Sequence, residues 1–151
     1  MPSIQFHLIK PLMYLARWAQ GRFPVQDGEA FIRFRRRADR MANTVMHPPR
    51  EVTMKKESVS GVDGEWLIPA DAPENPVMVF LHGGAMLFGW DNPLRRELAY
   101  LCKFTGLRAF GVDFHLAPEY HYPVAHDECY AVCQALTQQG RRIVLVGESS
   151  G

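Results

Sequence analysis

The chain has 151 residues, 47% of them hydrophobic and 22% charged, a composition that supports a packed core and excludes a disordered polypeptide. Lys and Arg total 17 against 16 Asp and Glu, and a formal charge of +1 excludes an overall electrostatic affinity for nucleic acid. Its three cysteines, Cys102, Cys129 and Cys133, form neither a secreted disulfide framework nor a paired metal motif, so a reduced, cytoplasmic chain is expected.

Between Ile4 and Ala19, Phe6, Leu8, Ile9, Leu12, Met13, Leu15 and Trp18 follow an amphipathic helical pattern bent near Pro11. His7, Lys10 and Arg17 interrupt it, so it reads neither as a signal sequence nor as a membrane span, though its apolar face suits a peripheral membrane contact. Asp27 is placed to cap a second helix, in which Phe31, Phe34, Ala38, Met41 and Val45 recur at three- and four-residue steps. Arg33, Arg36, Arg37 and Arg40 lie off that stripe, as a solvated face rather than a phosphate-binding patch. Pro48 and Pro49 close this section, and residues 1–47 read as a helical segment standing before a sheet.

Residues 48–151 then alternate strands with helices. Val52 to Val59 and Trp66 to Ile68 read as strands around a turn at Gly61-Val62-Asp63-Gly64, followed by a proline-rich loop from Pro69 to Pro76. Val77 to Leu81 is a short apolar run of the kind buried on both faces of a sheet. A helix from about Pro93 to Phe104, a strand from Leu107 to Phe114, a helix from about Val124 to Gln138 and a strand from Ile143 to Val146 complete the series. Such alternation predicts a doubly wound, mostly parallel α/β sheet. No metal-ligand spacing, phosphate-binding loop or dinucleotide fingerprint interrupts it, so no metal or cofactor is expected.

The last strand runs into Gly147-Glu148-Ser149-Ser150-Gly151, a Gly-x-Ser-x-Gly turn of the kind that lifts a serine hydroxyl clear of a sheet, and Ser149 is the candidate nucleophile. A serine hydroxyl attacks only when a histidine takes its proton and a carboxylate orients that histidine. In this architecture both follow the serine, whereas all six histidines here precede Ser149. His82-Gly83-Gly84-Ala85 follows the earlier buried strand, at the sheet end that lines a ligand crevice. Small residues there let backbone N–H groups reach a substrate oxygen, and each such donor stabilises a developing oxyanion by ~3 kcal/mol. Gly83 and Gly84 are the expected donors, Ala85 is an alternative to either, and the Ser150 N–H is a further one. His82 is expected to support the loop, and Met86 and Phe88, with Trp90, to line the core or a substrate pocket. Neither glycine motif is specific alone; their order and spacing carry the reading.

Three segments together, His82-Gly83-Gly84-Ala85-Met86-Leu87-Phe88-Gly89, Leu116-Ala117-Pro118-Glu119 with Tyr122-Pro123 and Asp127, and Gly147 to Gly151, resemble the hormone-sensitive lipase-like, or bacterial type IV, esterases of the α/β-hydrolase fold. The resemblance runs from about residue 50 to the last residue, with departures at Ala85 in place of glycine, His115 where arginine is common, and Glu148-Ser149-Ser150 in place of Asp-Ser-Ala. It implies an α/β-hydrolase sheet cut short after the nucleophile strand, an N-terminal helical cap, and hydrolysis of short to medium acyl esters through an acyl-enzyme on Ser149. Because the family's triad acid and histidine lie beyond this turn, the 151 residues alone are expected to be inactive. Glu119 is expected to brace a crossover, and Asp127 and Glu148 to cap or orient neighbours. The same chemistry suits an aryl formamide, and a non-catalytic ligand-binding or inert product is the alternative reading.

Overall fold

The computed structural model of the chain describes residues 28–45 and 47–151. The expected helix from Ile4 to Ala19 and the Asp27 cap lie outside the described residues. Two compact units divide the chain, Met1–Arg35 and Arg36–Gly151. Helix α1 (Gly28–Val45) forms where the apolar periodicity predicts it, and Arg33, Arg36, Arg37 and Arg40 are exposed. Its stripe is covered unevenly, with Phe31 buried but Met41 71% exposed.

Strands β1 (Val52–Val59) and β2 (Val62–Pro69) form an antiparallel hairpin whose innermost pair is Val59 with Val62. Its turn is shorter than the glycine spacing suggests. Ser60 and Gly61 alone make it, with φ of 55° and 81°, the left-handed conformation at both central positions that suits strand twist. Val62, Asp63 and Gly64 are therefore strand residues. Gly64 is needed for packing rather than for turning, because the Phe110 ring occupies the space a side chain would fill.

Strands β3 (Val77–Leu81), β4 (Arg108–Val112) and β5 (Ile143–Gly147) join them in the order β1-β2-β4-β3-β5. β3 is parallel to both β4 and β5, and β2 is antiparallel to β1 and β4, so β2 alone opposes the other four. Helix α2 (Asn92–Thr105) links β3 to β4, and α3 (Val124–Gln138) links β4 to β5. The Asp91 side chain caps α2 by accepting the Leu94 N–H at 3.2 Å, and Gly106, at φ 69°, ends it by donating to the Cys102 carbonyl. The Asn92 N–H donates to Asn43 Oδ1 at 2.7 Å, tying the end of α1 to the start of α2.

Side-chain alternation along β3 feeds two cores, which is why the run is continuously apolar. Val77 and Val79 pack with Phe110, Val112 and the α3 residues Val132 and Leu136. Met78 and Phe80 pack with Ala109, Trp90 and the α2 residues Leu98, Ala99 and Cys102. Helices thus cover both faces of the sheet, the doubly wound arrangement. No helix among the described residues is long and apolar enough to cross a membrane.

One charge is built into this packing. Glu65 of β2 is buried, and its Oε2 accepts the Trp90 indole N–H at 2.9 Å and the Arg95 Nε at 2.6 Å. The Arg95 guanidinium also lies over the Trp90 ring, 5.5 Å from its centroid. Removing one member leaves the other buried and unpaired, so Glu65→Ala is expected to cost about 3 kcal/mol of stability. Urea denaturation measures it, and a loss below ~1 kcal/mol would show the pair to be an incidental surface contact.

Candidate active site

Pairing between β3 and β5 sets the geometry. Leu81 lies opposite Gly147, so the two parallel strands end level and release their loops side by side. The Glu148 N–H donates to the Leu81 carbonyl at 3.2 Å, extending the ladder one residue past the strand. The chain then turns back on itself, and the Gly151 N–H donates to the Glu148 carbonyl at 2.8 Å. A side chain on Gly147 would lie 2.5 Å from the Gly151 carbonyl oxygen, and one on Gly151 would strike the Leu81 carbonyl, so both glycines are steric necessities.

Ser149 sits at the apex of this turn, exposed, with φ of 53°. A non-glycine residue held in the left-handed region costs of order 1 kcal/mol, and such strain concentrates at functional positions. Ser150 turns inward, and its buried Oγ has no hydrogen-bond partner among the described residues.

The facing loop is equally constrained. Gly84 has φ of 112°, and a side chain on it would come within 2.8 Å of the Phe88 carbonyl oxygen. Ala85 and Met86 follow at φ of 55° and 59°, and the N–H groups of Leu87 and Phe88 both donate to the Gly84 carbonyl, at 2.9 and 3.0 Å. That closure leaves the N–H groups of Gly83, Gly84 and Ala85 outside the loop's backbone hydrogen bonds. Gly83 backs onto the Glu148 carboxylate, which occupies the place of a Cβ.

His82 is fully buried and stacks on Phe114 with ring centroids 4.1 Å apart and 3° between planes. Its Nδ1 lies 2.7 Å from the Gly83 carbonyl oxygen, which selects the tautomer with the proton on Nδ1 as donor. Burial holds its pKa below the ordinary histidine value, opposed by the Gly83 bond and by the negative charges of Asp113, Asp91 and Glu148. The ring is therefore neutral, and its buried Nε2 has no hydrogen-bond partner among the described residues. Among the described residues no histidine ring is hydrogen-bonded to Ser149: His115 pairs with Glu128, and His126 stands edge-on to Tyr122.

Beside the turn an apolar cleft of about 480 Å³ is walled by Met86, Phe114, Cys129, Tyr130, Leu145 and Ser150. Met86 is thus brought to the cleft, whereas Phe88 folds back over Gly84 and is not on its wall. Trp90 is a buried core residue beneath the sheet end. Phe114 and Tyr130 escape sequence reasoning, because the first reads as the end of a strand and the second as one helix residue among many. The Cys129–Cys133 helical face was legible, but burial pushes the Cys129 thiol up to about 11, with Cys133 and Glu128 adding to it, so Cys129 lines the cleft as a neutral thiol. No group of residues that could hold a metal ion occurs among the described residues.

Residues 78–151 match a family model described as alpha/beta hydrolase fold. The chain is 36% identical over 103 residues to an esterase of Acinetobacter venetianus, covering 66% of this chain and 34% of that protein. It is 30% identical over 82 residues to an acetyl esterase of Salmonella schwarzengrund, covering 50% of this chain and 25% of that protein. Among solved structures, an esterase from the bacterial hormone-sensitive lipase family superposes with a TM-score of 0.71 at 30% identity, covering 78% of this chain and 40% of that one. The chain thus spans about a third of the length of the Acinetobacter relative and about a quarter of the Salmonella one.

The backbone at Ser149 generates a stability test. Ser149→Gly is expected to stabilise the protein by about 1 kcal/mol, since glycine adopts the left-handed region without strain. Ser149→Val is expected to destabilise it by at least as much, because a β-branched side chain fits that region worst. Urea midpoints measure both, and equal midpoints for the three proteins would show the turn to be unstrained.

Proposed function

Because the chain carries the α/β-hydrolase fold and belongs with the hormone-sensitive lipase-like esterases, we propose that it contributes the nucleophile and oxyanion donors of a carboxylic ester hydrolase acting on short to medium acyl esters. The observation that carries this reading is the pairing of a strained, exposed serine with a glycine loop in which the N–H groups of Gly83, Gly84 and Ala85 stand outside the backbone hydrogen bonds among the described residues, set level by one strand register.

Ser149 Oγ attacks the ester carbonyl carbon as a base removes its proton. The carbonyl oxygen takes up the negative charge and receives hydrogen bonds from Gly83 and Gly84, with Ala85 as the alternative donor to either and the Ser150 N–H as a further one. Collapse expels the alcohol and leaves an acyl-enzyme, which water attacks by the reverse choreography. His82, neutral and enclosed, fixes the loop, and Met86 borders the acyl group in the apolar cleft. No histidine among the described residues is hydrogen-bonded to Ser149, which supports the reading that residues 1–151 by themselves do not turn over ester. The same observation favours a second reading, a non-catalytic protein that binds an ester-like ligand at this cleft. The free cysteines agree with a cytoplasmic setting.

Hydrolysis of p-nitrophenyl acetate and butyrate by the protein purified from its native cell separates the readings. Esterase function is expected to show turnover that Ser149→Ala lowers roughly 10⁴-fold, with none from residues 1–151 alone. Turnover that survives Ser149→Ala would overturn the nucleophile assignment. Absence of any turnover from the native protein would leave the ligand-binding reading.

A further inference from the structure

The loop that presents Gly83 and Gly84 is closed by its own hydrogen bonds, and the segment after β4 meets it at three points. Phe114 stacks on His82, the Leu116 side chain comes to 3.0 Å of where a Gly89 Cβ would stand, and the Ala117 N–H donates to the Met86 carbonyl at 2.9 Å. That segment lacks regular structure; Phe114 and Leu116 pack into the core that α3 closes, and the Glu128 side chain hydrogen-bonds it to that helix. Glu128 accepts the His115 backbone N–H on Oε2 at 2.8 Å, and its Oε1 receives His115 Nδ1. The His115 ring is further pinned by Tyr120, with centroids 4.0 Å apart. The Glu128 side chain is only 18% exposed, so its carboxylate replaces lost hydration with these two donors.

We propose that Glu128 is a positioning residue for the oxyanion loop, acting through His115 and the segment from Phe114 to Ala117. It rests on the reading of Gly83 and Gly84 as oxyanion donors. A donor displaced by a fraction of an ångström stabilises the ground-state carbonyl no worse but the tetrahedral oxyanion much less, so the effect falls on kcat rather than KM. His115 is replaceable in kind: a guanidinium offers the same carboxylate two donors.

The test reads position and reaction separately. Amide hydrogen exchange followed by NMR in Glu128→Ala is expected to quicken at Ala117, Leu87 and Phe88 by about tenfold, while amides in β3 and β4 keep their protection. Glu128→Gln, which retains an acceptor for the His115 N–H, is expected to give a smaller change, and it replaces Glu128→Ala should that variant not fold. His115→Arg is expected to exchange like the unmodified chain. In the native-length protein, Glu128→Ala is expected to lower kcat for p-nitrophenyl butyrate roughly 10- to 100-fold with KM within about twofold. Unchanged exchange at the three amides in both Glu128 variants, or quickening spread evenly over the sheet, would overturn the proposal. Quickened loop exchange in a native-length protein that hydrolyses no ester would keep the positioning and sink the esterase reading instead.

Discussion

Everything at the sheet end depends on one register. Because Leu81 pairs with Gly147, the loops after β3 and β5 leave at the same level, and the Glu148 N–H can still reach the Leu81 carbonyl. A slip of one residue would turn every β5 side chain to the opposite face and separate Ser149 from the glycine loop by a full strand rise. The register is tight enough to forbid side chains where the two turns touch: Gly151 abuts the Leu81 carbonyl and Gly83 abuts Glu148. The glycines are therefore as much a condition of the strand pairing as a consequence of the turn.

Two-sided burial holds the β3 side of that register in place. β3 sends alternate residues to two cores, one closed by α3 and one by α2, so neither face tolerates sliding. The Glu65, Trp90 and Arg95 cluster adds direction to apolar packing that has none, tying β2 to α2 and to the loop running out of β3.

Most of this was legible because it obeys local rules. The apolar run Val77–Leu81, the helix from about Pro93 to Phe104 and the helix from Val124 to Gln138 each carry their signal within a few residues, and the structure bears them out. Where sequence reading failed, the deciding contact was distant. Gly64 resembles a turn residue until Phe110 is folded against it, and the hairpin turns two residues earlier. Phe114, which supports His82 and walls the cleft, carries no signal beyond being aromatic at a strand end.

Strain and support are arranged in opposite ways on the two loops. At the serine turn, strain is concentrated in one residue and held by backbone contacts of the adjacent strand, so little beyond β3 is needed to keep φ positive. At the glycine loop, left-handed geometry extends over Gly84, Ala85 and Met86, and the N–H groups of Leu87 and Phe88 close it on the Gly84 carbonyl. Closure of this kind fixes the loop's shape, and its orientation is set by contacts with its surroundings. The contacts from Phe114, Leu116 and Ala117 supply that orientation, and they relay the rigidity of α3 to the three N–H groups. Donors that are already aimed need no reorganisation when charge develops on a ligand oxygen, which is where a low-dielectric site gains most over water.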